Sequence, residues 1–244
     1  MERSVKVSII TIAYNSEKTI ERTIQSVLSQ KYHNVEYIIV DGGSTDGTVD
    51  IIKKYSSRIT YWISEKDKGI SDAFNKGVKL SSGDLICMMN SDDYMPENAI
   101  EYVVNAYEEK FDIYYGDTIF VDKNGISFYK KPKKLGYFKL TQPIFHQSTY
   151  ISRCAYNKYG LYDIELKMAM DYELLYKMYL GGARFKYVEK ALSIFSLQGL
   201  SGSNELMNSR AVYYVSVRCG TAKLVAALFL AFCYIRHYLR NLKG

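Results

Sequence analysis

The sequence is poor in the features that hold small extracellular domains together. Its 244 residues include three prolines and four cysteines, and the cysteines lie far apart with no Cys-x-x-Cys pair. This spacing argues against a disulfide framework and a cysteine zinc site, and it favours a reducing compartment. The first twelve residues lack the basic, apolar and small-residue order of a secretion signal. Because 48% of the residues are hydrophobic, the composition excludes a disordered chain and supports a folded core.

Several common catalytic and ligand-binding motifs are also missing. The three histidines are isolated and no His-Glu-x-x-His occurs, so we expect no histidine metal site. The sequence has no Gly-x-x-x-x-Gly-Lys-Ser/Thr and no Gly-x-Gly-x-x-Gly, which disfavours a P-loop and a dinucleotide-binding site. No Gly-x-Ser-x-Gly occurs, so a Ser–His–Asp hydrolase finds no support.

Charge is distributed unevenly along the chain. Residues 1–122 carry 13 Lys and Arg against 20 Asp and Glu, a net charge of −7, whereas residues 123–244 carry 19 against 6, a net charge of +13. The basic half therefore favours an anionic partner, such as a phosphate-bearing ligand, a membrane surface or a nucleic acid. The alternative is a solubilising lysine face.

Alternating apolar strands and amphipathic helices predict an α/β fold with a mostly parallel sheet. In the first half we expect strands at 5–13, 35–40, 60–64 and 84–89, with helices at 17–30, 70–80 and from Pro96 to about 109. The second half predicts shorter strands at 112–115, 117–122, 126–129, 144–152, 185–188 and 192–196, and a helix at 171–180. The predicted division is a catalytic-type domain at 1–203 and a helical tail at 204–244.

Polar side chains follow three of the predicted strands at their carboxyl ends. Asn15 follows the first strand, Asp41 ends the second, and Asp92 and Asp93 follow the fourth. Ligands of open parallel sheets bind at these ends, so we expect the groups to meet at one crevice. Adjacent carboxylates repel each other, and Mg²⁺ or Mn²⁺ held together with diphosphate oxygens would compensate. The alternative is that one aspartate caps the helix at Pro96 while the other is solvated.

An ordered set of motifs resembles the family 2 glycosyltransferases, which are inverting nucleotide-sugar enzymes of the GT-A fold. The resemblance covers most of residues 4–202 and is strongest to bacterial enzymes that build surface polysaccharides. It rests on VSIITIAYN, QSVLSQ, VEYIIVDGGSTDGT, SEKDKGISDAFNKGVKLSSGD, MMNSDDYMP and the later DYEL at 171–174. The function this implies is sugar transfer from a nucleotide-diphosphate donor, expected to be a UDP-sugar, to a saccharide or lipid-linked acceptor.

The resemblance also implies the donor-binding residues. Ile12, Ala13 and Tyr14 would flank the nucleotide base, and Asp41 would accept a hydrogen bond from the base, which favours uracil. Capping of the following turn is the alternative for Asp41.

Three further residues in this resemblance, Asp67, Lys68 and Asp72, would lie near the donor. Lys68 would pair with phosphate or be simply solvated, and Asp72 would contact the donor or cap its helix.

The MMNSDD segment stands where the family has its Asp-x-Asp motif, with Asn90 in place of the first aspartate. Asn90 and Ser91 are therefore implied donor contacts. Asp92 is implied as the ligand of Mn²⁺ or Mg²⁺, and Asp93 is a second candidate.

Asp171 falls where the family places its general base, although Met170 replaces the acid that often precedes it. An inverting transfer requires a carboxylate that accepts the proton of the acceptor hydroxyl. The alternative is an ordinary helix N-cap. His146 and Gln147 resemble a His-Gln pair of this branch and would contact the sugar or the acceptor, with a core histidine as the alternative.

Two other segments have implied or alternative roles. The Gly- and Ser-rich residues 198–203 would fold over the diphosphate or serve as a linker to the tail. Residues 123–139 carry six lysines and no acidic residue. They would face a lipid diphosphate, anionic head groups or solvent.

Two competing functions remain at this stage. A non-catalytic module that binds a nucleotide sugar or a glycan is disfavoured by the presence of Asp41, Asp92 and Asp171 together. A nucleic-acid binder needs aromatic residues interleaved with basic ones, and the acidic first half opposes it, so we expect no nucleic-acid partner.

The tail contains twelve consecutive apolar residues at 224–235, with basic residues on both sides. A spanning helix needs about 20 apolar residues, so this run is too short to cross a bilayer. It fits a helix at 222–240 that lies in the membrane interface, which predicts a cytoplasmic enzyme that is peripheral at the inner face of the cell membrane. The alternative is a helix that packs on protein.

Overall fold

The structure is a computed structural model, and it describes residues 4–122, 124–197 and 205–241. The strands are Val7–Ala13 (β1), Val35–Asp41 (β2), Tyr61–Ser64 (β3), Leu85–Asn90 (β4), Ile113–Val121 (β5), Ser127–Lys130 (β6), Thr149–Ser152 (β7) and Phe185–Ser196 (β8). The α-helices are Ile20–Leu28 (α1), Thr48–Lys54 (α2), Ile70–Leu80 (α3), Ala99–Asn105 (α4), Arg153–Tyr159 (α5), Met170–Leu180 (α6), Glu205–Arg218 (α7) and Lys223–Asn241 (α8). Short 3₁₀ helices cover Leu135–Lys139 and His146–Ser148.

The strands form one mixed, mostly parallel sheet in the order β3-β2-β1-β4-β7-β5-β6. Strands β1 to β4 pair in parallel, β7 runs antiparallel between β4 and β5, and β8 pairs in parallel with the other edge of β5. The predicted α/β fold with a mostly parallel sheet flanked by helices is confirmed. Because β1, β2 and β4 are parallel neighbours, their carboxyl ends lie side by side.

Strand β1 lies inside the sheet between β2 and β4, and helices cover both of its faces. All seven of its residues are buried, as expected for a continuous apolar run in a parallel sheet. Successive side chains of a strand point to opposite faces. Ile9 accordingly lies in a cluster with Ile24 of α1, and Ile10 lies in the opposite cluster with Phe74 of α3.

Some predicted elements in the second half have the wrong boundaries. Strands predicted at 112–115 and 117–122 form the single strand β5, and those at 185–188 and 192–196 form the single strand β8. The strand predicted at 144–152 begins with a 3₁₀ helix and becomes β7 only at Thr149. The helix α5 was not predicted. Its start is capped by the Ser152 hydroxyl, which accepts from the Ala155 N–H at 3.1 Å.

The last two helices pack against each other, and α7 also packs on the body of the protein. Val215 of α7 is fully buried in the core cluster that contains α6. The division into a domain at 1–203 and a tail at 204–244 stays a prediction. Within the described residues, no helix has the length and apolar character needed to cross a membrane.

Candidate active site

A large open cavity lies at the carboxyl ends of β1, β2 and β4, where the sequence predicts the site. Its volume is about 1480 Å³. Seven residues predicted to bind the donor or a metal form part of its wall: Ile12, Ala13, Tyr14, Asp67, Asn90, Ser91 and Asp92. The fold therefore brings together residues that are up to 80 positions apart in the sequence.

Hydrogen bonds join the loops that follow the three strands. The Thr45 N–H donates to the Asn15 Oδ1 at 2.9 Å, which joins the loops after β2 and β1. The hydroxyls of Ser16 and Ser91 lie 2.7 Å apart, which joins the loops after β1 and β4. Asn15 holds a φ of 48°, in the left-handed region that asparagine tolerates better than most residues. These links fix the shape of the cavity rim.

Asp41 lies beneath the cavity rather than on its wall. It is fully buried, and its Oδ2 accepts from the N–H groups of Gly43 at 3.1 Å and Ser44 at 2.9 Å and from the Ser64 hydroxyl at 2.6 Å. The Ser44 hydroxyl donates to its Oδ1. This is the turn-capping role that the sequence left as the alternative. By holding the turn, Asp41 places the backbone of Gly42 and Gly43 on the cavity wall.

Tyr14 presents an exposed ring at the rim, with 64% of the residue accessible. Gly42 lies against it. A Cβ at position 42 would lie 3.4 Å from the Tyr14 ring and only 2.5 Å from an oxygen of Asp67. A side chain at position 42 would therefore displace the Asp67 carboxylate from the edge of the cavity.

The residues at the start of α3 divide into two groups. Asp67 is on the cavity wall, and its Oδ1 accepts from the Gly69 N–H at 2.8 Å. Asp72 accepts from the Lys68 N–H at 3.0 Å and lies 3.6 Å from the Lys76 ammonium, so it holds the start of the helix. Among the described residues that form the wall, Lys66 is present and Lys68 is not.

The two adjacent aspartates lie in different surroundings. Asp92 is partly exposed on the cavity wall, whereas Asp93 is buried with 1% of its surface accessible. Asp93 accepts a hydrogen bond from the Ser196 N–H at 3.0 Å, and the side chain of Gln147 also hydrogen-bonds it. The Asn90 amide lies 3.5 Å from its other oxygen. Of the two, Asp92 is the one that a ligand in the cavity can reach.

The burial of this pair changes its protonation. Burial, followed by the charge of Asp92, raises the pKa of Asp93 to about 8. Burial also raises the pKa of Asp92, and the Arg22 charge opposes that rise. Burial thus favours the protonated form of both carboxyls, and it does so more strongly for Asp93, which lies deeper.

Arg22 is a site residue that the sequence analysis missed. It lies on the cavity wall, donates from Nη2 to the Asp92 carbonyl oxygen at 3.0 Å, and stacks 4.2 Å from the Tyr94 ring centre. Lys66 and Ser196 were missed as well, and both are on the wall. The amphipathic pattern of α1 places Arg22 on the polar side of the helix but carries no signal that this side meets the loop after β4.

Asp171 lies in the first turn of α6, outside the described wall of the large cavity. Its Oδ2 accepts from the Gln142 amide at 2.9 Å, and Gln142 is a further residue that the sequence analysis missed. The residue before α6, Ala169, holds a φ of 59°, which is unusual for alanine. Such strained positions are found at functional sites when the surroundings enforce them.

His146 and Gln147 are outside the described wall of the large cavity, and they interact with Asp171 and Asp93 respectively. His146 is buried, its Nε2 lies 2.7 Å from the Tyr162 hydroxyl, and its ring packs edge-on against Phe74. Burial lowers the pKa of His146, and the charge of Asp171 opposes this. Gln147 is bonded to Asp93. The pair thus connects the surroundings of Asp93 to those of Asp171.

Within residues 4–122, 124–197 and 205–241, no group of three or more His, Cys, Asp or Glu side chains could hold a metal ion. A cation at this site would need ligands from elsewhere besides Asp92. The Gly- and Ser-rich residues 198–203, predicted to fold over the diphosphate, lie outside the described residues.

Comparison with known proteins identifies the family. The sequence model described as Glycosyl transferase family 2 matches residues 8–162. The chain belongs to this family. The match to family 2 includes Asp41, Asp92 and Asp93 and ends before Asp171.

Curated relatives agree with the assignment to family 2. An uncharacterised glycosyltransferase of Rickettsia typhi is 32% identical over 70% of this chain and 58% of that protein. The Escherichia coli protein WfaP, named as a UDP-Glc:α-D-GlcNAc-diphosphoundecaprenol β-1,3-glucosyltransferase, is 35% identical over 54% of this chain and 53% of its own length. The chain thus spans little more than half the length of these relatives.

Solved structures confirm the fold. Staphylococcus aureus TarS in complex with UDP-GlcNAc has a TM-score of 0.67 and 21% identity, covering 96% of this chain and 72% of that one. The mannosyltransferase PcManGT of Pyrobaculum calidifontis, in complex with GDP-Man and Mn²⁺, has a TM-score of 0.71 and 16% identity, covering 94% and 70%. At these identities the likeness concerns the fold of the family 2 domain.

Proposed function

We propose that this chain is an inverting glycosyltransferase that moves a sugar from a UDP-sugar to a saccharide or lipid-linked acceptor. The observation that carries the proposal is the cavity at the ends of β1, β2 and β4, whose wall includes Asp92 together with the cationic residues Arg22 and Lys66. A nucleotide sugar requires this combination, because its diphosphate is anionic and its leaving group gains charge during transfer. The UDP-containing names of WfaP and the TarS complex support UDP as the nucleotide.

The donor would lie across the rim formed by the loops after β1 and β2. Tyr14 offers an exposed ring for the base, and Ile12 and Ala13 supply the apolar floor behind it. Asp41 would act from below, through the turn it caps. Arg22 and Lys66 are the candidate partners for the diphosphate, since guanidinium and ammonium groups form charge-assisted bonds to phosphate oxygens.

The residues present fit a divalent cation shared with the donor. Mg²⁺ typically takes one or two carboxylates together with substrate phosphates and water, so Asp92 alone suffices on the protein side. A bound cation would supply neutralisation of the departing diphosphate. Asp93 would support Asp92 from the core, where its position is fixed by Ser196 and Gln147. The Mn²⁺ in the PcManGT complex supports a metal of this kind.

Asp171 is the proposed general base. It would take the proton of the acceptor hydroxyl as that oxygen attacks the anomeric carbon, while the bond from that carbon to the diphosphate breaks. The Gln142 amide donates to one carboxylate oxygen and leaves the other for the acceptor. Acceptor binding near His146 and Gln147 would be indirect, because both side chains are buried.

We also propose that the protein is cytoplasmic and peripheral at the inner face of the cell membrane. Helix α8 exposes large apolar side chains along its length, among them Leu224 at 72% and Leu228 at 63%. The lipid-linked substrate in the name of WfaP supports an acceptor at a membrane surface.

The test is donor binding and turnover. Incubation with UDP-sugars, Mn²⁺ and candidate acceptors should release UDP, and specific donor binding should raise the melting temperature by mass action. Asp92→Ala should lower turnover by about 10²-fold or more, as loss of a group that stabilises the leaving charge does. Asp50→Ala is the matched control, since that side chain is 84% exposed on α2 and should leave turnover unchanged.

Two results would contradict the proposal. Full turnover in excess chelator would remove the metal role of Asp92. Donor binding without any sugar transfer or UDP release would favour the non-catalytic binding module instead.

A further inference from the structure

A second cavity, which we call the basic pocket, lies between α7, α8 and the segment 133–141. Its volume is about 400 Å³, and it shares no described wall residue with the large cavity. The charged side chains of its wall are Lys133, Glu205, Arg236 and Arg240. The sequence analysis noted the lysine-rich segment at 123–139, and the proposed function does not account for this pocket.

Positive charge exceeds negative charge in the basic pocket. The Glu205 carboxylate accepts from Arg236 Nη2 at 2.9 Å, lies 3.0 Å from His237 Nδ1, and also pairs with Arg240. No residue that the structure describes forms an ion pair with Lys133. One carboxylate thus faces two guanidinium groups, an imidazole and a nearby ammonium group, so an additional anion would be attracted.

The pKa of Lys130 is lowered by burial and by the positive charges of the basic pocket. Burial lowers the pKa of Lys130, and the positive charges of Lys133 and Arg236 lower it further. Three basic groups from two distant parts of the chain therefore converge closely enough to repel one another. An anion between them would relieve that repulsion.

The wall of the basic pocket also contains apolar residues. Val212, Phe229 and Cys233 line it, and Cys233 is buried with 9% of its surface accessible. A pocket lined by both cations and apolar groups suits an anion that carries an apolar chain better than a small inorganic anion.

The basic pocket is also connected to the proposed base. Thr141 is on its wall, and the next residue, Gln142, donates to Asp171 at 2.9 Å. Consecutive Cα atoms are about 3.8 Å apart. A ligand that contacts Thr141 would therefore lie one residue along the chain from the side chain that hydrogen-bonds Asp171. The Thr221 hydroxyl between α7 and α8 donates to the Lys139 carbonyl at 3.0 Å, which fastens the segment to both helices.

We propose that the basic pocket binds the diphosphate of an acceptor whose sugar is linked through that diphosphate to an apolar chain. The inference rests on the proposed function and adds where the acceptor is held. Lys133, Arg236 and Arg240 would bind the phosphate oxygens, Phe229 and Val212 would contact the beginning of the chain, and the sugar would extend towards Asp171.

The experiment measures binding without turnover. Farnesyl diphosphate and inorganic diphosphate are titrated calorimetrically into the full chain without divalent metal and with saturating UDP. We expect farnesyl diphosphate to bind more tightly than inorganic diphosphate. Lys133→Glu should weaken binding of both by about tenfold or more, since it reverses a charge that contacts phosphate. Lys134→Glu is the matched control, because Lys134 is equally exposed and lies outside the described pocket wall, and it should change binding less than twofold.

The other possible outcomes distinguish a failure of the pocket assignment from a failure of the proposed function. If both lysine variants weaken binding equally, or if neither probe binds, the basic pocket is not a diphosphate site. In that case UDP binding by the same protein would still support the proposed function. Binding of phosphatidylglycerol vesicles that depends on Lys133, without binding of farnesyl diphosphate, would overturn the acceptor role in favour of a membrane head group. Diphosphate binding by a protein that does not bind UDP in a separate titration with Mn²⁺ would overturn the proposed function and the acceptor assignment with it.

Discussion

Asp92 and Asp93 show how one turn can give two neighbouring carboxylates different properties. Asp92 faces the cavity, whereas Asp93 points into the core and meets the Ser196 N–H from the end of β8. Burial and the neighbouring charge of Asp92 both favour the protonated form of Asp93, which reduces the repulsion between the two carboxyl groups. The cavity therefore has Asp92 on its wall, while Asp93 is held in the core behind it.

We predict that Asp171→Asn separates chemistry from donor binding. Asparagine keeps the shape and can still accept from Gln142, but it cannot take a proton from the acceptor. UDP-sugar binding should stay nearly unchanged, while transfer should fall by about 10²-fold or more. Calorimetry and single-turnover assays on the same preparation would measure the two effects. Transfer at the wild-type rate would leave Asp171 as part of the helix start only.

We predict that Glu36 stabilises the end of the sheet opposite the site. Burial raises its pKa, but hydrogen bonds from Ser8, Ser82 and Lys6 outweigh burial and lower the pKa of Glu36 from 4.5 to about 2. A folded-state pKa below the unfolded value means that this stability is complete above pH 4.5 and is lost as the pH falls towards 2. Glu36→Gln should lower the free energy of unfolding at pH 7 by about 2 kcal/mol.

Urea unfolding of wild type and variant from pH 7 to pH 2.5 would check this prediction. The difference between the two proteins should shrink below pH 4.5, where the wild type begins to lose the contribution. Glu97→Gln is the control, because the Glu97 and Lys31 side chains are 68% and 59% exposed and such surface pairs contribute little. A difference that does not depend on pH would contradict the role of the Glu36 charge.

The sequence was sufficient to predict which strand ends meet, because apolar runs and the carboxyl-end rule depend only on local pattern. It could not predict that Asp93 is buried, since its partners Gln147 and Ser196 lie 54 and 103 positions later. The contacts of Arg22 with Asp92 and of Gln142 with Asp171 could not be predicted for the same reason. A side chain's partner across the fold has no signature in the local sequence.

At the scale of elements, we predict that Gly77 sets the distance between α3 and β1. A Cβ at position 77 would collide with the Cγ2 of Ile10, a β-branched side chain that is fully buried in β1. Overpacking of this kind costs about 1–3 kcal/mol, whereas alanine gains only about 1 kcal/mol in helix propensity. Gly77→Ala should therefore lower stability by up to about 2 kcal/mol in urea unfolding. Gly136→Ala, where a Cβ meets nothing within 4 Å, should be nearly neutral.

The wrongly predicted strand boundaries also have a physical cause. Gly116 lies between the strands predicted at 112–115 and 117–122, but in β5 it marks a bulge where its missing side chain makes room for Leu192 and the Lys190 carbonyl of β8. Glycine inside a strand often marks such a close approach. The polar residues Glu189 and Lys190 interrupt the apolar pattern of β8 without ending its pairing with β5, since Val188 and Leu192 on either side of them are buried.

At the scale of the whole molecule, the uneven charge corresponds to two different surfaces. The acidic first half supplies most of the large cavity, in which Arg22 and Lys66 are the cations placed for a diphosphate. The basic second half supplies the pocket beside α8, and α8 also carries the exposed apolar side chains. Donor and acceptor would thus approach from different sides, and the acceptor side is the one suited to an anionic, apolar surface.

We predict that α8 binds anionic membranes through its exposed face. Leu224, Leu228, Phe232 and Ile235 are 72%, 63%, 57% and 59% exposed, and their spacing of four, four and three residues puts them on one face. Burying such side chains contributes about 1.5–3 kcal/mol each. Leu228→Glu together with Phe232→Glu should therefore reduce binding to phosphatidylglycerol vesicles by more than about tenfold in co-sedimentation. The control pair, Ile164→Glu with Leu180→Glu, changes side chains that are 47% and 53% exposed elsewhere and should bind like wild type. If wild type does not bind the vesicles and instead forms dimers that the α8 variant abolishes, this face packs on protein and the prediction is wrong.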